Sequence, residues 1–325
     1  AWQARFERYR EAHPALAREF LRRIQCKLPA EITSEALIEK ASAAIRFAGD
    51  RRPGAVRFFS EGESLDVSQR LTLVSRLRRA LNEKQFHLQY QPIVSLHDGK
   101  MVAVEALLRW QEPELGNVPP DRFIHVAEES GLIVPIGRWV QEEVCRQIGD
   151  WRQQAGWDVP VSINVAPVEL LQRDFASSLL KRLENAGIPA SLLCTEVTEL
   201  ELITDSLVVE QNLALLQEAS IDLYIDDFGT GYSSLDYLRR MPLNRLKIDR
   251  SFIQGIPESR PDAELTRIMI AMAHTLGLGI VAEGIENREQ LEFLQNTGCE
   301  LGQGFLISHP VDADRIPSLR NRRLV

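Results

Sequence analysis

The stretch Asp222-Leu223-Tyr224-Ile225-Asp226-Asp227-Phe228-Gly229-Thr230-Gly231-Tyr232-Ser233-Ser234 carries the fold and the chemistry in one line. An apolar, β-like run over 222–228 meets two adjacent carboxylates near its end, and a glycine-rich turn follows. Adjacent aspartates at a strand end repel each other unless something positive lies beside them. One way to hold them is a solvated Asp-Asp turn. The other is a divalent cation, and oxygen ligands suit hard ions such as Mg²⁺, Mn²⁺ or Ca²⁺.

Outward from this stretch the same unit repeats. From residue 86 onward, β-like runs at 86–94, 101–110, 159–165, 192–197, 222–228, 245–248, 279–282 and 304–307 alternate with helical stretches at 135–155, 175–186, 206–219, 263–276 and 289–296. In 263–276, Leu265, Ile268, Met269, Met272 and Leu276 fall three and four residues apart, which predicts one apolar face. Asp262 is placed to cap that helix and Gly277 to end it. Strands alternating with helices predict a parallel sheet, and eight strands predict an α/β fold of the (β/α)₈ TIM-barrel type. The first junction differs. His97-Asp98-Gly99-Lys100 is too short for a crossover helix, and Asp-Gly is a hairpin signal. The first strand is therefore expected to run antiparallel to the second. A doubly wound open sheet is the alternative architecture, but no G-x-G-x-x-G follows a first strand.

A chain of 325 residues suits one large domain with an appendage, or two domains. Its 44% hydrophobic and 26% charged content is that of a globular protein and excludes a disordered chain. No apolar run is long enough to span a membrane, and no signal-peptide pattern opens the chain. Because it begins with Ala1, a longer parent with an anchor elsewhere remains compatible. Cys26, Cys145, Cys194 and Cys299 form no CxxC and read as reduced, buried thiols. The six histidines form no HxxxH, so zinc is not expected. Residues 1–80 hold 16 basic against 10 acidic side chains, whereas the whole chain is at −8. The acidic remainder argues against binding duplex nucleic acid and leaves room for a small phosphate ligand recruited through metal. Ahead of the barrel, 2–24 and 37–48 read as helices, 50–54 as a turn, 55–59 as a short strand and 67–84 as a long helix leading into the barrel.

In such a barrel the active site lies at the carboxyl ends of the strands. The polar residues that end or interrupt the runs there are Glu105, Asn164, Glu196, Asp226, Asp227, Lys247, Asp249, Glu283 and Gln303. Scattered salt bridges would be the bland outcome. One mouth collecting this many carboxylates repels itself without cations, which favours the metal reading.

Glu105-Ala106-Leu107-Leu108-Arg109-Trp110 resembles the signature of the EAL-domain phosphodiesterases, which hydrolyse the bacterial second messenger cyclic di-GMP. The family's other motifs follow in order: Tyr90-Gln91-Pro92-Ile93-Val94, Ser162-Ile163-Asn164, Glu196-Val197-Thr198-Glu199, Asp226 to Ser234, Leu246-Lys247-Ile248-Asp249, Ala282-Glu283-Gly284-Ile285-Glu286 and Gln303-Gly304-Phe305. They span about 86–310, and the family fold, a (β/α)₈ barrel with an antiparallel first strand, agrees with the pattern above. The resemblance implies that Glu105, Asn164, Glu196 and Asp226 hold one divalent ion and that Asp226 bridges to a second, held with Asp227. Two Mg²⁺ or Mn²⁺ ions would activate water to open cyclic di-GMP to linear pGpG, with Ca²⁺ occupying the site without turnover. Lys247 then holds the attacking water or balances charge, and Glu283 works on metal-bound water or as a general base. Glu199 ties down the loop 228–234, which could switch activity. Leu107 and Arg109 meet the ligand, the guanidinium at a phosphate. Gln91 contacts guanine or serves structure, Asp249 faces the ligand or caps a helix, and Gln303 lies near the metals.

The resemblance also implies a cytoplasmic enzyme that dimerises through the barrel, with a helix at 234–240 exposing Tyr237 and Leu238. Residues 37–62, notably Ala41-Ser42-Ala43-Ala44-Ile45 and the run 56–59, resemble the last helix and strand of a GGDEF domain whose signature is absent. A helical linker is the alternative. The division expected is 1–66, a linker helix at 67–85 and the barrel at 86–325. Two other functions stay in view. A cyclic di-GMP receptor would be signalled by lost metal ligands, but every position is filled here. An unrelated metal-dependent lyase or aldolase barrel does not account for the motif set.

Overall fold

The structure, a computed structural model, describes residues 67–198, 206–229, 238, 241–320 and 322–325. Apart from Val67 and Ser68, these belong to the unit Gln69–Val325. The expectations placed on residues 1–66, on Glu199, on the loop beyond Gly229 and on Tyr237 lie outside the described residues.

The hairpin expected at Asp98-Gly99 forms. Strands β1 (Phe86–Ser95) and β2 (Met101–Glu112) pair antiparallel, with Gln91 opposite Glu105 and Gln89 opposite Leu107. Gly99 takes φ 71°, where glycine has no Cβ to clash, and its N–H donates to the Ser95 carbonyl at 2.8 Å. A short β3 (Gly116–Val118) folds back on β2. Strands β4 (Val161–Asn164), β5 (Leu193–Thr198), β6 (Asp222–Phe228), β7 (Arg245–Ile248), β8 (Gly279–Ala282) and β9 (Leu301–Gly302) then follow β2 in parallel order. β9 pairs antiparallel with β1 and closes the ring. The product is an eight-stranded barrel whose first strand opposes both neighbours, with β10 (Val311–Asp312) paired on β1. Closure excludes the open sheet.

Parallel strands covered on both faces read as unbroken apolar runs. Val161, Ile163, Leu193, Ile225, Leu246, Ile248 and Ile280 are at most 1% exposed. The helices are α1 (Val67–Asn82), α2 (Pro120–Glu129), α3 (Ile133–Ala155), α4 (Pro167–Leu170), α5 (Phe175–Ala186), α6 (Leu207–Glu218), α7 (Arg250–Ile253), α8 (Arg260–Thr275), α9 (Arg288–Asn296) and α10 (Ile316–Leu319). In α3, Ile133, Ile136, Val140, Val144, Ile148 and Trp151 bury one stripe at three- and four-residue spacing. On α1, Leu77 and Ala80 are fully buried, and Arg76 and Arg79 reach the buried Glu112 at the end of β2.

Four expectations fail. The eighth strand is Leu301–Gly302 rather than 304–307, where the chain turns instead. Pairing with Val281 and Ala282, not side-chain pattern, sets that strand. Helix α8 starts at Arg260, capped by Ser259, whose side chain accepts the Asp262 N–H; Asp262 lies inside the first turn. Its buried face is Ala263, Thr266, Met269, Ile270 and Ala273, while Leu265 and Ile268 are 45% and 61% exposed. Of the expected stripe only Leu265 and Ile268 face away; Met269 is buried, and Met272 and Leu276 are partly buried against the core. Leu238, expected on the surface, is buried in the core, where its apolar side chain gains from leaving water.

Candidate active site

A side chain in a regular strand points to the face opposite its neighbour's, so Asp226 and Asp227 should not reach one site together. The backbone resolves this with a bulge. Ile225 pairs with Leu246 and Phe228 with Ile248, so one extra residue is taken up at Asp226-Asp227. Asp227 sits at φ 53°, a left-handed conformation that aspartate tolerates better than most residues. Its N–H donates to Asp226 Oδ1 at 2.9 Å.

Lys247 is the centre of the site. It projects from β7 between Leu246 and Ile248 and is fully buried. Its Nζ lies 2.5 Å from Glu196 Oε2, 2.7 Å from Glu283 Oε1, 3.2 Å from Asp226 Oδ1 and 3.3 Å from Glu105 Oε2. Gln303 Nε2 donates to Glu105 Oε2 at 2.7 Å and to Glu283 Oε1 at 2.9 Å, and Asn164 Nδ2 donates to Glu105 Oε1 at 2.8 Å. β2, β4, β5, β6, β7 and the residues just past β8 and β9 thus each send a polar side chain to one point.

One ammonium does not neutralise this cluster. Burial and the facing acids Glu105 and Asp226 push the Glu196 carboxyl well above its usual range. Burial, with Asp226 and Glu105, lifts Glu283 to about 8 against the pull of Lys247. Burial and the charges of Asp226 and Asp249 lift Asp227 to about 6. Glu105 is the exception: burial would raise it, but Lys247, Gln303 and Asn164 together hold it below its ordinary value. Burial would lower the Lys247 ammonium, yet the four acids outweigh that and fix its proton. Two overlapping triads, Glu105–Glu196–Asp226 and Asp226–Asp227–Glu283, each bring ligand oxygens within 4.8 Å of one another. Glu196 Oε1 is buried and has no hydrogen-bond partner among the described residues. All-oxygen donors, excess negative charge and an orphaned carboxylate oxygen fit a hard divalent cation.

The other expected residues make contacts of their own. Arg109 is half-buried; its Nε donates to Gln89 Oε1 at 2.9 Å and its Nη1 to the Leu108 carbonyl at 3.0 Å. Leu107 is half-buried opposite Gln89. Gln91 donates to the Ser308 carbonyl at 3.0 Å, which is a structural bond. Asp249 caps α7, accepting the Ser251 N–H at 3.0 Å. Gln89, which orients Arg109, was not anticipated: it lies twenty residues away, and only the β1–β2 register brings the two together.

The EAL domain profile matches residues 74–310. The chain is 38% identical over 287 residues to the bifunctional diguanylate cyclase/cyclic di-GMP phosphodiesterase MucR of Pseudomonas aeruginosa, covering 87% of this chain and 42% of that protein. It is 40% identical over 280 residues to the cyclic di-GMP phosphodiesterase NbdA of the same organism, covering 85% and 35%. It therefore spans less than half the length of these relatives. Among solved structures, the phosphodiesterase of MucR from P. aeruginosa, in complex with c-di-GMP, superposes with a TM-score of 0.72 at 40% identity, covering 75% of this chain and 99% of that one. No helix among the described residues is long and apolar enough to cross a membrane. With its motifs in order and its acids gathered on one lysine at the mouth of a closed barrel, the chain belongs to the EAL domain family.

Proposed function

We propose that this chain is a metal-dependent phosphodiesterase that hydrolyses cyclic di-GMP to linear pGpG. The observation that carries the reading is the convergence of Glu105, Glu196, Asp226 and Glu283 on Lys247, with Glu196 Oε1 left unpartnered. Glu105, Asn164, Glu196 and Asp226 would hold one cation, and Asp226 with Asp227 a second, so that Asp226 is shared. Two such ions, Mg²⁺ or Mn²⁺, would supply Lewis-acid chemistry there, lowering the pKa of water and offsetting charge on the entering and leaving oxygens.

The protein's own groups do the rest. Lys247, its proton fixed by its acids, orients the attacking water through its N–H bonds. Glu283 accepts the proton, its carboxyl brought down from about 8 once cations offset the surrounding negative charge. Arg109, held by Gln89, meets the phosphate. A P–O bond forms to the water oxygen, and the P–O3′ bond breaks. The ribose 3′ oxygen leaves with the bonding pair and takes a proton from solvent water to become a hydroxyl, and a 5′ phosphate remains.

Residues 1–66 are read as a remnant of a GGDEF-like domain joined by the linker helix 67–85, and the chain as a cytoplasmic homodimer. Turnover of cyclic di-GMP by the purified chain, with Mg²⁺, Mn²⁺, Ca²⁺ or chelator, tests the enzyme reading, with the product identified by mass. Asp226→Asn should lower turnover by several orders of magnitude while the fold survives. A variant keeping more than about a tenth of wild-type activity refutes the shared-ligand assignment. Binding of cyclic di-GMP without turnover under any metal would make the chain a receptor instead.

A further inference from the structure

Glu169 is a buried carboxylate that takes no part in the chemistry proposed above. It is 4% exposed and lies in α4, the single helical turn that follows β4 and its last residue, Asn164. A carboxylate is costly to take out of water, and a neutral acceptor could make the same contact. Glu169 Oε2 accepts the Ala166 N–H at 3.1 Å, and the Glu169 N–H donates to the Ala166 carbonyl at 2.9 Å. Ala166, at the start of α4, has no side-chain oxygen with which to cap the helix. The reach of Glu169 back to its N–H therefore fixes how the chain enters the turn.

Helix α3 is shaped to admit this side chain. Gly137 lies in its second turn, and a Cβ there would overlap the Glu169 carboxylate. Glycine inside a helix is disfavoured against alanine, because it gives up more backbone entropy. A buried acid and a helical glycine are two unfavourable choices made at one contact. Neither adds apolar contact; together they secure the bond to Ala166. The far end of α4 is held as well. Asn212 of α6, itself buried, donates from Nδ2 to the Leu170 and Gln172 carbonyls, each at 2.8 Å.

This anchorage holds the chain just past Asn164. Asn164 pairs with Glu196 in the β4–β5 register, and the Val165 N–H donates to the Glu196 carbonyl at 2.8 Å. The next N–H, that of Ala166, goes to Glu169. The bend out of β4 is thus tied on one side to the strand that carries Glu196 and on the other to Glu169. Asn164 Nδ2 is committed to Glu105 Oε1 at 2.8 Å, which leaves the amide oxygen for a cation. An amide has no net charge to draw a cation in, so its contribution depends on where it is held.

We propose that Glu169, seated in the notch at Gly137, is a positioning residue for Asn164: it fixes the bend out of β4 and so keeps the Asn164 amide on Glu105 and at the cation site. This rests on the reading of Asn164 as a cation ligand.

The test is Mn²⁺ binding to the metal-free chain by calorimetry, without substrate, beside thermal melts in chelator. The variants are Glu169→Ala, Glu169→Gln, Gly137→Ala, the double variant of Gly137→Ala with Glu169→Ala, and Asn164→Ala. Losing a group that orients a metal ligand costs about 10- to 100-fold in affinity, so Glu169→Ala should weaken Mn²⁺ by at least about 10-fold. Glu169→Gln keeps an oxygen for the Ala166 N–H and should bind Mn²⁺ nearly as wild type does. Gly137→Ala evicts the carboxylate and should weaken Mn²⁺ in the same sense. In the double variant the clash is gone, so its affinity should fall no further than that of Glu169→Ala. If Glu169→Ala does not fold, Gly137→Ala decides. Wild-type Mn²⁺ affinity in Glu169→Ala or Gly137→Ala, whatever the melting temperature, overturns the proposal, because Glu169 then serves packing alone. Losses that add in the double variant overturn it too. Wild-type affinity in Asn164→Ala sinks the ligand reading and the proposal with it, and absence of Mn²⁺ binding by the wild-type chain sinks the functional reading itself.

Discussion

Replacing Lys247 by methionine keeps the length of the side chain and removes the only ammonium among four carboxylates. At an effective dielectric near 20, two unit charges about 3 Å apart attract by roughly 5 kcal/mol. Carboxylates 4.8 Å apart, the outer limit within each acid triad, repel by about 3.5 kcal/mol at the same dielectric. With the lysine present, attraction and repulsion are of the same order, and the cluster is tolerable without metal. Without it only repulsion remains. The full Coulomb sum is not realised, because the acids take up protons instead, as Glu196 and Glu283 already tend to. Stability in chelator should therefore fall by about 3–5 kcal/mol, the range for breaking a buried ion pair. At about 2–4 °C per kcal/mol for a domain of this size, that is a drop of about 6–20 °C in Tm. Thermal melts read it directly. Saturating Mn²⁺ should recover more of the loss in Lys247→Met than it adds to wild type, because the ions supply the missing positive charge. Lowering the pH should also shrink the deficit. If Lys247→Met melts within about 2 °C of wild type in chelator, the lysine does not hold the cluster and the electrostatic account is wrong. If Mn²⁺ gives the variant nothing, the cluster is not a cation site.

Two further outcomes follow from the same geometry. Glu283 is raised to about 8 and Glu196 is raised as well, against about 4.3 for an unfolded glutamate, so between those values the folded chain binds more protons than the unfolded one. The contribution of these two groups to the stability of the metal-free chain is thus full below the unfolded value and is lost as pH rises through about 8; melts in chelator across that window should show the decline, and Mn²⁺ should flatten it. Gly304→Ala puts a Cβ 2.2 Å from the Ile285 backbone and should cost about 1–3 kcal/mol by denaturant titration; an unperturbed variant would show that the close approach is not rigid.

The parts of the fold that were legible in sequence share a physical reason. The runs at 222–228, 245–248 and 279–282 coincide with β6, β7 and β8 because parallel strands buried on both faces must be apolar throughout. The hairpin at Asp98-Gly99 was legible because a left-handed residue there leaves little but glycine. What was not legible is set by backbone partners or by small side chains. β9 has two residues and owes its place to Val281 and Ala282. The buried face of α8 joins Ala263, Thr266 and Ala273 to Met269 and Ile270, and the three small residues are what periodicity weighted by bulk overlooks. The strand β3 and the helix α2 lie in a stretch whose signals, Gly116 and Pro119-Pro120, say turn and helix start without saying what they pack against. Within the site, the acids and Gln303 announced themselves by interrupting apolar runs, whereas Gln89 needed the register of β1.

The most informative of those interruptions is the basic one. A carboxylate near a strand end can always be solvated, so each acid taken singly says little. A lysine between Leu246 and Ile248 in a four-residue strand cannot reach water, and alone in that place it would lose its proton. It stays charged only if carboxylates from several other strands converge on it, and a barrel is the arrangement that lets β2, β5 and β6 and the end of β8 all reach one residue of β7. Three or more acids on one cation then leave net negative charge in a buried place, and that excess is what a divalent ion neutralises. The chain Lys247, converging acids, closed barrel, cation site runs in one direction from a single residue. The bulge at Asp226-Asp227 belongs to the same logic: a regular strand would supply the site with one aspartate, and the extra residue supplies the neighbour that the proposed second ion would use.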